Sequence, residues 1–171
     1  TNNSTVAGNA LSCPTNETTK ISLTDIESGY IYGIDDDNQI FEINPQQKTT
    51  SKVFDTKLPN PKKSNGVAFH KGTGTLLFFY ENRLYSWNTT SKELTEHAFK
   101  EGKTASAAVY KDSLWWINSN KLYGLDISAL NSGEIIQGKP TQYELNNYAK
   151  ADFGDIAITS DGILYGSATG G

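Results

Sequence analysis

Leu84-Tyr85-Ser86-Trp87-Asn88 decides the fold, because it recurs as Ile40-Phe41-Glu42-Ile43-Asn44 and again as Leu122-Tyr123-Gly124-Leu125-Asp126. The shared order is aliphatic, aromatic, small or polar, large apolar, then Asn or Asp. The copies lie 44 and 38 residues apart, close to the period of about 40–50 residues at which four-stranded blade repeats recur.

Each copy follows a more continuously apolar run, namely Tyr30-Ile31-Tyr32-Gly33-Ile34, Leu76-Leu77-Phe78-Phe79-Tyr80 and Leu114-Trp115-Trp116-Ile117, with Ile163-Leu164-Tyr165 as a fourth run after the turn Ser160-Asp161-Gly162. Short apolar runs bounded by Gly, Asp and Asn read as strands covered on both faces. The polar links Asp35 to Gln39, Glu81 to Arg83 and Asn118 to Lys121 then read as hairpin loops. Upstream lie segments of small residues, Gly66-Val67-Ala68-Phe69, Ser106-Ala107-Ala108-Val109 and Asp155-Ile156-Ala157-Ile158, with Ile21-Ser22-Leu23 as a looser first copy. Small side chains let backbones crowd, as the innermost strands of a propeller must. Downstream, Thr50 to Phe54, Leu94 to Ala98 and Thr141 to Leu145 alternate and carry more polar groups, fitting an outermost strand half exposed to solvent.

Every repeat thus grades outward from small, to apolar, to patterned, to polar, and a radial blade requires that gradient. No segment keeps apolar residues at i, i+3, i+4 and i+7 for three turns, so a helical body is excluded. An ordinary β-sandwich is the competing all-β reading. The expected fold is all-β and β-propeller-like, with about three and a half four-stranded blades. Residues 1–19 form an irregular amino-terminal segment, and 20–171 a partial propeller domain with repeats at about 20–56, 64–100, 104–146 and 153–171. Irregular pieces are also expected at Lys57 to Ser64, Ser128 to Pro140 and Asn146 to Asp152.

Gly154-Asp155-Ile156-Ala157-Ile158-Thr159-Ser160-Asp161-Gly162-Ile163-Leu164-Tyr165-Gly166 resembles the blade opening of extracellular β-propellers of the NHL and YWTD type. Leu114 to Ile117 followed by Leu122 to Asp126 is similar to their middle hairpin. The likeness covers about residues 20–171, although the chain lacks the literal YWTD tetrapeptide and any Trp-Asp dipeptide. It implies blade architecture; propellers host binding, scaffolding and enzymatic roles alike. Three complete repeats and two strands of a fourth bring the chain to Gly170-Gly171, and rings close with four to eight blades. Completion is therefore expected from the rest of a longer polypeptide, from a second copy, or from the next subunit of a larger ring or filament.

Composition narrows the partners. With 171 residues, 36% hydrophobic and 11% aromatic content, the chain is long and apolar enough for one folded domain. Its net charge of −4 gives no broad footprint for nucleic acid. The longest apolar run, Leu76 to Tyr80, falls far short of the roughly 20 residues that span a bilayer. Protein is the expected partner.

The chain opens at Thr1 and contains no Met, so a processed chain or a fragment is expected. Sequons at Asn2, Asn3, Asn16 and Asn88 are candidate N-glycan acceptors in a secreted or extracellular protein. Chance alone predicts roughly three. Position helps more, since three fall in the amino-terminal stretch and Asn88 closes a predicted strand. The single cysteine, Cys13, cannot form an internal disulfide, which leaves an intermolecular disulfide or a free thiol.

Catalytic signals are sparse. Neither histidine, His70 or His97, lies beside a nucleophile motif, and no phosphate loop or zinc helix is present. His70 is expected at a turn with a solvated side chain. Asp35 and Asp37, within Asp35-Asp36-Asp37-Asn38, are the best metal ligands available, for Ca²⁺, because hard cations take clustered oxygens. The run departs from the EF-hand pattern, and a plain hairpin loop is its other reading. Trp87, Trp115, Trp116, Tyr30, Tyr32, Phe78, Phe79 and Tyr165 recur at matching positions, which argues for core packing over a carbohydrate platform. Lys57, Lys62 and Lys63 read as a solvated connector. The expected function is a non-enzymatic structural or protein-interaction module, without a cofactor, within a glycosylated surface assembly. The alternatives are a fragment of a metal-dependent propeller enzyme of the lactonase or lyase type and a ligand-binding receptor propeller.

Overall fold

A computed structural model of the chain describes residues 29–100, 104, 106–145 and 152–169, with backbone alone at 99–100, 152–154 and 168–169. Among the described residues thirteen strands make four antiparallel sheets, and there is no α-helix. The first sheet is β1 (Ile31–Ile34), β2 (Gln39–Asn44) and β3 (Thr49–Asp55). The second is β4 (Ser64–His70), β5 (Thr75–Tyr80), β6 (Arg83–Asn88) and β7 (Leu94–Lys100). The third is β8 (Ala107–Tyr110), β9 (Ser113–Asn118), β10 (Lys121–Asp126) and β11 (Thr141–Glu144), and the fourth is β12 (Asp152–Ile158) with β13 (Leu164–Thr169). Every sheet is a meander in chain order. The predicted hairpins, and the strands expected downstream of them, fall where the patterning places them; Ile21-Ser22-Leu23 lies outside the described residues.

Turn chemistry sets the registers. Glu81 and Asn82 both take left-handed φ values, 46° and 65°, the geometry that joins two twisted strands through a two-residue hairpin. It pairs Tyr80 with Arg83 and Leu76 with Trp87, so the two faces of β5 and β6 are fixed together.

Those faces have different neighbours. Leu76, Phe78, Tyr80, Tyr85 and Trp87 pack with Ile40, Tyr32, Ile34 and Phe54 of the first sheet. On the reverse side, Leu77, Phe79 and Leu84 pack with Leu114, Trp116, Tyr123 and Leu125 of the third. The whole of β5 is buried, as a strand covered on both faces must be. The sheets are thus layered in chain order. Their backbones approach most through first strands, β4 against β8 and β8 against β12. Gly66 shows how tight the first of these is: a Cβ there would lie 2.9 Å from Thr104 Cγ2 and 3.0 Å from the Phe79 ring, and its φ of +61° also favours glycine.

The segment after β10 is more ordered than its composition suggests. Ser128–Ser132 form a 3-10 helix, and Ile127 and Ile136 on either side are fully buried in the core between the second and third sheets. No helix among the described residues is long and apolar enough to cross a membrane.

Two of the aromatics expected in the core are not there. Tyr30 is 53% and Tyr165 60% exposed, beside Ile31 at 50% and Ile163 at 51%. The physical reason is their place in the stack. They belong to the terminal sheets, whose outward sides no described sheet covers, whereas Trp87, Trp116, Phe78 and Phe79 lie between sheets and are buried. Tyr32 and Trp115 are half-buried.

Candidate functional site

The acidic run builds a turn. Asp35 Oδ1 accepts the backbone N–H of Asp37 at 3.0 Å and of Gln39 at 2.8 Å, closing the β1–β2 link. Asp37 Oδ1 accepts from Asn60 Nδ2 at 3.1 Å, and Asp36 pairs with Lys63. The three carboxylates thus serve separate partners. Among the described residues no three His, Cys, Asp or Glu side chains converge to hold a metal. The chemical centre of the run is Asn38. It is fully buried with φ +58°, donates Nδ2–H to the Lys62 carbonyl at 2.9 Å, and accepts at Oδ1 from the Ser64 N–H and hydroxyl, both at 2.9 Å. Thr56 Oγ1 donates to its carbonyl at 2.7 Å. One side chain therefore fastens the first sheet to the connector that enters the second.

His97, on β7, is buried. The N–H of Ile136 donates to its Nδ1 at 3.1 Å, so the neutral ring carries its proton on Nε2 and donates it to Ser86 Oγ at 2.8 Å. That tautomer cannot take a proton from Ser86, which removes this Ser–His contact as a nucleophile–base pair. Its role is to anchor the segment holding Ile136. Desolvation pushes the ring pKa down to about 4 from the usual 6.5. The unfolded chain therefore takes up the proton first as pH falls. The contribution is complete above pH 6.5, is lost between 6.5 and about 4, and does not change further below that. It amounts to about 2 kcal/mol after allowance for solvent screening. In His97→Gln, chemical unfolding followed at several pH values is expected to lose this part of the slope; an unchanged slope would refute the assignment.

His70 is not at a solvated turn. It ends β4 at 5% exposure, with Nδ1 2.7 Å from Thr73 Oγ1 and Nε2 3.4 Å from Asp112 Oδ1. Packing against the β8–β9 turn that carries Asp112 is what buries it.

Asn88 closes β6 as predicted. Its Oδ1 accepts from the N–H of Thr90 and Ser91, both at 2.9 Å, and its Nδ2 donates to the Thr73 carbonyl at 3.1 Å. The nitrogen a glycan would occupy is thus in use, and it also donates to Thr75 Oγ1 at 3.4 Å. Asn2, Asn3, Asn16 and Cys13 lie outside the described residues. Lys57 pairs with Asp55 at 2.7 Å and Lys62 with Glu81 at 3.3 Å, exposed contacts of the connector.

The faces left outward on the two terminal sheets carry apolar side chains beside polar ones such as Lys52 and Ser167. On the first sheet Ile31, Phe41 and Ile43 point away from the second sheet, because Ile31 pairs with Ile43 and Gly33 with Phe41, opposite in phase to inward-facing Ile40. On the fourth, Ala157 and Tyr165 pair and are exposed, opposite in phase to buried Ile156, whose N–H donates to Ser106 Oγ, just before the third sheet, at 2.7 Å. Among the described residues these two faces carry exposed apolar side chains, as do Phe69, Ile135 and Tyr143 elsewhere.

No protein-family model and no curated protein matches the chain. Solved structures do resemble it. An auxiliary nutrient binding protein from Bacteroides thetaiotaomicron is similar over 81% of this chain and 33% of its own, at 13% identity and a TM-score of 0.57. The extracellular domain of BT4673 from B. thetaiotaomicron is similar over 81% and 18%, at 18% identity and 0.51. A chain of the Mitotic Checkpoint Complex is similar over 81% and 45%, at 11% identity and 0.52. The chain spans less than half the length of each. At such identities the likeness concerns the fold alone, an all-β arrangement of antiparallel sheets.

Sequence reasoning missed Asn38 and His97. Asn38 had one available signal, an Asn in a hairpin link, where left-handed backbone is tolerated; His97 had none, since its partner is a backbone N–H 39 residues away.

Proposed function

We propose that the chain is a non-enzymatic, extracellular protein-interaction module, a segment of propeller-like blades whose terminal sheets are covered by protein. The observation that carries this reading is the outward turn of Ile31 and Tyr165, exposed apolar side chains whose strand counterparts Leu76, Leu114 and Leu77 are buried where two sheets meet within the chain. The blade reading draws on the meander order of every sheet and on the convergence of first strands; face-to-face sheets of a sandwich would approach along their whole width. An extracellular setting is supported by one of the similar folds and by the sequons, with Asn88 as the acceptor on a described strand. The histidines and carboxylates described above bond to turns and anchors, which supports an interaction role for the surface.

Ile31→Glu and Tyr165→Glu change exposed positions, so both are expected to keep the melting temperature. Each is expected to shrink the native complex recovered from cells that secrete the protein, measured by light scattering. A complex of unchanged mass in both variants would overturn the proposal.

A further inference from the structure

We propose that the two outward faces are the halves of one interface, and that a second copy of this chain docks on them head to tail. This rests on the interaction-module reading and names its partner. The argument is continuity of the layering. In the second sheet the aromatic and the large apolar residue of the recurring motif, Tyr85 and Trp87, face the preceding sheet; in the third, Tyr123 and Leu125 do the same. Phe41 and Ile43 hold those two motif positions in the first sheet, and no described sheet precedes it. The first sheet therefore presents a surface made to follow another sheet.

The fourth sheet presents the reverse. Its Ile156 side meets the third sheet, and Tyr165 points onward, in the direction in which Leu77 and Phe79 of the second sheet reach the third. The two terminal faces differ from each other and match the two sides of each internal junction. A two-fold axis through a single contact would bring like faces together, first on first or fourth on fourth, whereas one copy following the other matches first to fourth and closes into a ring where the rotation allows. Matching unlike faces requires a heterologous contact, one copy following the other.

The test uses the 171-residue chain and its two single variants, purified apart. Wild type is expected to gain mass with concentration in light scattering. Ile31→Glu blocks the leading face and Tyr165→Glu the trailing face, so each alone is expected to stay at the 18.7 kDa of one chain. Mixed in equal amounts, they retain one sound face each and are expected to form a dimer that grows no further. Association of either variant alone would overturn the head-to-tail geometry. A wild-type chain and a mixture that both stay monomeric would overturn the second copy as occupant, leaving another polypeptide or residues 1–28 on these faces. If the purified chain is monomeric while the native complex still shrinks in the variants, this inference fails and the interaction reading survives.

Discussion

Trp116→Ala is expected to cost about 3–5 kcal/mol of unfolding free energy, a large share of the 5–15 kcal/mol that holds a typical domain together. Trp116 is 1% exposed. Its ring lies against Tyr123 at 5.4 Å between centroids, nearly parallel, and against Phe79 of the second sheet at 5.5 Å. Truncation would remove apolar area from both contacts and open a void between two sheets whose backbones are already fixed by their ladders, so collapse cannot fill it. Urea unfolding followed by tyrosine and tryptophan fluorescence measures the effect. Trp116→Phe keeps most of the volume and is expected to recover more than half of the loss. A cost below about 1 kcal/mol for the alanine variant would mean that the second and third sheets do not share a core.

Asn38→Ala is expected to cost about 3 kcal/mol, with two separable causes. The left-handed backbone at φ +58° suits Asn and disfavours Ala. The lost amide also leaves the Ser64 N–H and the Lys62 carbonyl without their partner. Asn38→Gly relieves the first cause and keeps the second, so it is expected to recover about 1 kcal/mol. Asn38→Asp keeps the acceptor and loses the donor. If Gly restores full stability, backbone strain alone explains the site; if Gly and Ala are equal, the hydrogen bonds do.

These two sites mark what the sequence made legible. Trp116 was readable because its neighbours recur: a bulky residue at a fixed motif position, in runs short enough for a strand, is buried in any layered β fold. The strands of the second and third sheets could be located in this way, since burial on both sides writes the same residues into successive copies. Tyr30 and Tyr165 carry the same signature and are exposed, because periodicity records a residue's place within its sheet and not whether another sheet stands beside it. Asn38 and His97 were hidden for a different reason. Each satisfies backbone groups distant in sequence, and a hydrogen bond to a main-chain N–H leaves no imprint on the identity of the residue that owns it. The acidic run was visible as chemistry, yet its meaning depended on Asn60 and Lys63, whose proximity comes from the connector's path.

The second sheet makes one side from Leu76, Phe78, Tyr85 and Trp87 and the other from Leu77, Phe79 and Leu84. Such a unit has a front and a back that are not interchangeable, and it asks nothing of the molecule beyond its immediate neighbours. Duplicating or deleting one whole unit would leave a front against a back.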